Sequence, residues 1–138
     1  MREIKFRGKH WKTGKWHYGY FWKSPDGLYW IKENGADYRV APETVGQYVG
    51  HSDKNEKEIY ESDIVKTDWQ HDGSTNYDYE ITGEVKWDKD RSQWSIEHEK
   101  NGGAETLIYP FYSFEREELL DEGIEVIGNI YENPELIK

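Results

Sequence analysis

An aromatic residue at every second position from Trp16 to Trp22 constrains the fold of this chain more than any other feature. A period of two is typical of a β-strand, in which successive side chains point to opposite faces of a sheet. Ser24-Pro25-Asp26-Gly27 follows and favours a tight turn, because proline presets φ at the second position and glycine suits the fourth. The pattern predicts a hairpin over residues 15–32, with its return strand at Leu28–Lys32.

One face of the first predicted strand is formed entirely by rings. The four residues on it are Trp16, Tyr18, Tyr20 and Trp22. Aromatic residues make up 16% of the chain and hydrophobic residues only 35%, so rings must supply much of any core. The pattern favours this face as the core of the sheet. The alternatives are a surface that stacks on sugars or single-stranded bases, and an interface with a partner.

Short alternating stretches bounded by turn signals recur along the rest of the chain. Turns or loops are predicted at Asn34-Gly35, 53–56, 70–76, 88–91 and 101–103. Short strands at this spacing predict a mainly β fold built on small SH3-like barrel or half-barrel sheets. One short helix is predicted near 113–120, with Ser113 as its N-cap. We expect one domain over residues 1–138, or two small β subdomains of about 1–50 and 51–138.

Charge and composition bound the class of protein. The net charge is −10, from 28 acidic and 18 basic residues, and it disfavours binding of the whole chain to a nucleic-acid backbone. The first 24 residues are nevertheless basic, with seven lysines and arginines against Glu3. The chain has no cysteine and no apolar N-terminal segment, which predicts a soluble protein of the cytoplasm.

Few residues are arranged for catalysis or metal binding. None of the five histidines has the ligand spacing of a zinc motif, so no metal and no cofactor are expected. The one catalytic alternative is a hydrolase that uses Asp63 with Glu58 or Glu61 as acid and base, with His51 nearby. The same carboxylates are typical of an ordinary turn, and the sequence predicts no catalytic residue.

Four stretches of the chain resemble the YopX family of phage and prophage proteins. They are Met1–Lys9, Pro42–Gly50, Glu58–Val65 and Ile124–Leu136. The chain departs from the family pattern at Glu56 and Ser62, where the family usually has glycine. The resemblance implies a mainly β fold and expression from a phage or prophage genome in the cytoplasm of a bacterial host. It implies no activity, catalytic residue or cofactor.

These observations support three functional hypotheses. The first is a non-enzymatic accessory protein that binds a host or phage protein and self-associates, without contact to a membrane. The second is a small β-barrel protein that binds nucleic acid through its basic, aromatic N-terminal segment, and the third is the hydrolase. The candidate interaction residues are Arg7, Trp11, Lys12, Lys15 and His17.

Overall fold

The structure is a computed structural model that describes residues 3–70, 78–100, 105–110, 112–113, 118–119 and 123–137. It divides into two compact units, Met1–Gly50 and His51–Lys138, which we call the N-terminal and C-terminal units. Each unit contains an antiparallel sheet, so the predicted mainly β fold is confirmed. Neither sheet closes into a barrel within the described residues. Of the two predicted forms, the structure is therefore compatible with half-barrel sheets.

The sheet of the N-terminal unit has the strand order β4-β3-β2-β1-β5. Its strands are β1 (Phe6–Lys9), β2 (Trp16–Lys23), β3 (Tyr29–Glu33), β4 (Ala36–Val40) and β5 (Gly46–Ser52), the last ending two residues into the next unit. A 3-10 turn at Pro42–Thr44 precedes β5. All neighbouring strands of this unit pair in antiparallel register.

The predicted hairpin is formed by β2 and β3. Its turn is closed by the N–H of Gly27, which donates to the carbonyl of Ser24 at 2.9 Å. This turn sets the register, with Trp22 opposite Trp30. The next turn, between β3 and β4, has Asn34 and Gly35 at φ of 50° and 84°, the left-handed pair that a two-residue hairpin loop requires. Local turn chemistry thus determines how three consecutive strands pair.

The buried side of this sheet is not the side that the sequence favoured. Residues directly opposite each other on paired strands share a face. Phe21 of β2 lies opposite Ile31 and Ile31 opposite Tyr38, and Ile31 is fully buried. The same side is lined by Phe6, His17, Phe21, Tyr29, Ile31, Tyr38 and Val40. The interpretation of the Trp16-to-Trp22 face as core is therefore wrong. The neighbouring strands place their apolar residues on the opposite side of the sheet, the side of Phe21.

The main sheet of the C-terminal unit has the strand order β10-β9-β8-β7-β13. The strands of the unit are β6 (Glu58–Tyr60), β7 (Asp63–Gln70), β8 (Asp78–Asp88), β9 (Gln93–Lys100), β10 (Glu105–Pro110), β11 (Tyr112–Ser113), β12 (Glu118–Leu119) and β13 (Ile124–Asn129). A 3-10 turn at Pro134–Ile137 follows β13. The described residues contain no helix long and apolar enough to cross a membrane.

Aliphatic side chains and the ring of Tyr60 form the described core of this unit. The buried aliphatic members are Ile59, Ile64, Val65, Ile81, Val85, Ile96 and Ile124. Val85 and Ile96 lie opposite each other in the predicted hairpin of β8 and β9, which is confirmed. The loops predicted at 70–76 and 101–103 lie outside the described residues, apart from Gln70 at the end of β7.

The helix predicted near 113–120 is wrong where its residues are described. Ser113 lies in β11 and pairs with Glu118 of β12, while residues 114–117 and 120 lie outside the described part of the chain. An isolated helix of two turns is marginal, since its nucleation cost is not recovered over so few residues. The sequence also has Arg116 where a capping box would have an acidic residue.

Candidate functional site

The rings of β2 lie on the open side of the N-terminal sheet. Tyr20 is 71% exposed, and Tyr18 and Trp22 beside it are exposed as well. Alternate residues of a strand are roughly 7 Å apart, so these rings form a regular row. We call this side the aromatic face. Its members, from four paired strands, are Arg7, Lys9, Trp16, Tyr18, Tyr20, Trp22, Trp30, Lys32, Asp37 and Arg39.

Cations lie against two rings, Trp16 on the aromatic face and Trp11 beside it. The guanidinium of Arg7 is 4.5 Å from the ring centroid of Trp16, and the ammonium of Lys9 is 5.4 Å from it. Arg39 is 4.5 Å from the ring of Trp11, which lies at the margin of the face and is 52% exposed. A cation over an aromatic ring is attracted by the ring quadrupole. The face therefore combines π surfaces with fixed positive charge.

Trp22 is held in one orientation. Its ring stacks on Trp30 with 5.6 Å between centroids and an interplanar angle of 15°. Its indole N–H donates to Oδ1 of Asp37 at 2.9 Å, and the ammonium of Lys32 is 3.3 Å from Oδ2 of the same carboxylate. The hydrogen bond from Trp22 lowers the pKa of Asp37, so this carboxylate stays ionised at neutral pH. A ring fixed in this way loses little conformational entropy when a ligand stacks on it.

The predicted interaction residues are divided between the two sides of the sheet. Arg7 lies on the side of the aromatic face but is only 5% exposed, Trp11 lies at the margin of the face, and Lys12 and Lys15 are exposed between β1 and β2. His17 is only 4% exposed and lies on the other side, where its Nδ1 donates to Oε1 of Glu33 at 3.0 Å. Trp30, Lys32 and Arg39 were not among the interaction residues predicted from the sequence. The register of the predicted hairpin could have found Trp30 and Lys32, because it places them opposite Trp22 and Tyr20.

The two units carry opposite net charge. Residues 1–50 contain nine basic and five acidic residues, a net charge of +4. Residues 51–138 contain nine basic and 23 acidic residues, a net charge of −14. The total of −10 therefore conceals a basic unit that carries the aromatic face.

The C-terminal unit contains a cleft of about 160 Å³. It is lined by Thr82, Glu84, Lys86, Glu97, His98, Glu99, Leu136 and Ile137. Asp63, Glu61 and His51, the residues of the hydrolase hypothesis, do not line it. The carboxylate of Asp63 instead accepts the backbone N–H of Tyr60 at 2.8 Å and is buried in this corner. Within the described ranges, no three acidic or histidine side chains are grouped to hold a metal ion.

Comparison with known proteins identifies the family. A family model described as YopX protein matches residues 5–138, which is nearly the whole chain. The chain belongs to the YopX family. The resemblance of the four sequence stretches to this family is thereby confirmed. No curated protein matches the chain.

A solved structure shares the YopX fold seen here. The crystal structure of protein EF1440 from Enterococcus faecalis is 19% identical to this chain, with a TM-score of 0.52, and the match covers 100% of both chains. A likeness at this level of identity concerns the fold alone.

The two departures from the YopX pattern fall where the backbone is left-handed. Glu56 has a φ of 64° and Ser62 a φ of 73°. Glycine reaches these angles without the steric cost that a Cβ atom brings, which explains the family preference at both positions. This chain keeps the backbone conformation and carries the cost.

Proposed function

We propose that this YopX protein is a non-enzymatic accessory protein of a phage or prophage, and that it binds single-stranded nucleic acid through its aromatic face. It acts in the cytoplasm of the bacterial host. The observation that carries the proposal is the exposure of Tyr18, Tyr20 and Trp22 in one row, with Lys32 on the same face, in a unit of net charge +4. Bases stack on exposed rings whatever their sequence, and cations in the same groove contact the phosphates.

The steric arrangement of the face suits an extended strand of nucleotides. Tyr20 is the most exposed of its rings, and Trp22 is fixed by Trp30 and Asp37. Lys32 lies directly opposite Tyr20 on the same face and is exposed. A base on Tyr20 would therefore lie beside Lys32, whose ammonium group also pairs with Asp37 at 3.3 Å. A duplex does not offer its base faces for stacking, so single strands are the expected ligand.

The charge argument against nucleic acid weakens once the units are considered separately. A polyanion meets the potential of the surface that it approaches, and charges further away than about 10 Å are screened at ordinary ionic strength. The acidic residues are concentrated in the C-terminal unit, which holds 23 of the 28. Within the N-terminal unit, the aromatic face carries Arg7, Lys9, Lys32 and Arg39 against the single carboxylate of Asp37. The proposal therefore requires steep salt dependence.

The test is fluorescence anisotropy with labelled oligothymidylate and oligouridylate over a range of salt concentrations. If three side chains contact phosphates, the logarithm of the binding constant should fall with the logarithm of salt with a slope of about −2. Tyr20→Thr keeps a strand-forming residue and removes the ring, and it should weaken binding roughly tenfold or more. The matched control is Trp87→Thr, which removes a ring that is 45% exposed on β8 of the C-terminal unit.

Two results would overturn the proposal. The first is no binding of either oligonucleotide at low salt. The second is binding by Tyr20→Thr that equals the wild type. A labelled duplex of the same length serves as a further comparison, and it should bind more weakly than the single strands.

A further inference from the structure

One side of the β8–β9 hairpin concentrates carboxylates. Glu84 and Glu97 lie directly opposite each other, and Glu99 follows two residues along β9. Like charges in directly opposite positions of a sheet are destabilising. We call the side formed by Glu84, Glu97 and Glu99 the acidic face.

Lys86 lies against two carboxylates of the acidic face. Lys86 is 2.7 Å from Glu97 and 3.9 Å from Glu84. Burial raises the pKa of Glu84, and the carboxylates of Glu97, Glu61 and Glu99 act in the same direction against the effect of Lys86. The carboxylates near Glu84 thus raise its pKa although Lys86 lies beside it. Additional positive charge brought to this face would offset that repulsion.

We infer that the acidic face of one copy of this chain docks on the aromatic face of a second copy. These two surfaces of the same molecule are complementary in charge. The aromatic face brings Lys32 and Arg39 from neighbouring strands, and it belongs to the unit with a net charge of +4. The acidic face belongs to the unit with a net charge of −14. Exposed tryptophan and tyrosine rings are also typical anchors of protein interfaces.

This contact joins two different surfaces and is therefore heterologous. Such contacts form rings where the rotation closes and open chains where it does not. Association should be favoured at low salt, because the attraction is between exposed charges. The acidic face and a single-stranded nucleic acid would compete for the same rings. This competition rests on the proposed function, whereas the self-association does not.

Sedimentation velocity of the full chain is the first experiment. At low salt the mean sedimentation coefficient should rise with protein concentration, and the rise should disappear in about 0.5 M salt, where the screening length is only a few Å. A chain that stays monomeric at every concentration at low salt would refute the inference.

Two charge reversals at exposed positions identify the surfaces. Lys32→Glu changes the aromatic face and Glu99→Lys the acidic face, and each variant alone should remain monomeric. An equimolar mixture of the two should associate again, because each copy retains the surface that the other has lost. The matched control is Asp90→Lys, which makes the same charge change at an exposed turn outside the acidic face and should associate as the wild type does.

Other outcomes point to other interfaces and would overturn this one. If Glu99→Lys still associates while Lys32→Glu does not, two aromatic faces meet each other and the acidic face takes no part. If both variants still associate, neither surface is involved. Circular dichroism of each variant establishes that a loss of association is not a loss of folding.

Oligothymidylate added to the associated wild type separates this inference from the proposed function. Release of monomers that carry oligonucleotide supports both. If the protein stays associated and binds no oligonucleotide at low or high salt, self-association is supported and nucleic-acid binding is contradicted. If the protein binds the oligonucleotide but never associates, nucleic-acid binding is supported and self-association is contradicted.

Discussion

Residues 1–50 and residues 51–138 both form antiparallel sheets, but they bury different side chains. The C-terminal unit fills its core with aliphatic residues such as Ile64, Val85 and Ile96. The N-terminal unit buries few aliphatic residues and fills much of its buried side with rings, while further rings line its open side. A sheet that already has a buried side does not need a row of rings on the other. The exposed rings of β2 are therefore not part of a core, and among the described residues of the C-terminal sheet Trp87 is the large ring with comparable exposure.

The largest effect that tests this comparison is expected from Ile96→Ala. Ile96 is fully buried and lies opposite Val85 in the aliphatic core. Removal of the side chain should lower the free energy of unfolding by about 4 kcal/mol, from the lost transfer free energy and the cavity left behind. Urea denaturation followed by circular dichroism measures it. Trp87→Thr, at an exposed ring of the same hairpin, should cost less than a quarter as much.

Asp53→Ala should have the next largest effect, of about 2–3 kcal/mol. The buried carboxylate of Asp53 accepts the backbone N–H groups of Asn55, Lys57 and Val126 at 2.8, 2.9 and 2.9 Å. Alanine removes the carboxylate that accepts hydrogen bonds from these three N–H groups. Asp26→Ala, at an exposed turn of the N-terminal unit, is the comparison and should cost under about 1 kcal/mol. Equal losses at the two positions would mean that the buried carboxylate is not what holds the C-terminal turn.

The contribution of Asp53 should also depend on pH. Burial opposes ionisation of this carboxyl, but the hydrogen bonds from Val126, Lys57 and Asn55 outweigh it and lower the pKa. Because the folded pKa lies below the unfolded one, the stabilisation is complete above the unfolded value, near 4, and is lost as pH falls through the folded value. The difference in unfolding free energy between wild type and Asp53→Ala should therefore shrink below pH 4. A difference that stays constant down to pH 2 would contradict this account.

The elements that depend on local chemistry could be predicted from the sequence. Ser24 to Gly27 and Asn34-Gly35 determined two hairpins of the N-terminal unit, because a turn type fixes the pairing of the strands beside it. Which side of a strand is buried depends on its neighbours. The alternation of β2 alone therefore led to the wrong side. The predicted hairpin places Lys32 opposite Tyr20, on the same side of the sheet. Because a lysine is rarely buried in a core, this pairing could have shown that the side is exposed.

The sequence predicted which types of residue form the candidate site, but not which individual residues belong to it. Basic and aromatic residues of the first two strands were identified, but Arg39 reaches the aromatic face only through the pairing of β3 with β4. His17 was predicted as an interaction residue because it lies close in the sequence to the basic and aromatic residues. The alternation of β2 places its ring on the other side of the sheet, where its centroid is 3.8 Å from that of the Tyr38 ring. Pairing across strands is nonlocal information that a short motif does not contain.

Glu56→Gly should stabilise the protein by about 0.5–1 kcal/mol. The two units differ in their turns as well as in their cores. Glycine occupies one left-handed position in each of two N-terminal turns, at Gly27 and at Gly35 beside Asn34, whereas the C-terminal unit has Glu56 at a φ of 64°. The side chain of Glu56 is exposed, so glycine removes strain without removing a buried contact. Differential scanning calorimetry should show a higher Tm, and Asn55→Gly, the neighbouring control without a left-handed φ, should show a lower one.

The smallest effect is expected from Tyr20→Thr, and it tests the comparison most directly. If the ring belonged to a core, its removal would cost about 3–5 kcal/mol, as large aromatic truncations in cores do. Tyr20 is 71% exposed, and threonine is itself a good strand former, so the free energy of unfolding should change by less than about 0.5 kcal/mol. Chemical denaturation of this variant beside Ile96→Ala measures both extremes under the same conditions. A large loss at Tyr20 would show that the aromatic face is covered in the folded protein, and the row of rings would then have a structural role. A negligible loss, together with weakened binding of oligothymidylate, would mean that the ring contributes to the ligand and not to the fold.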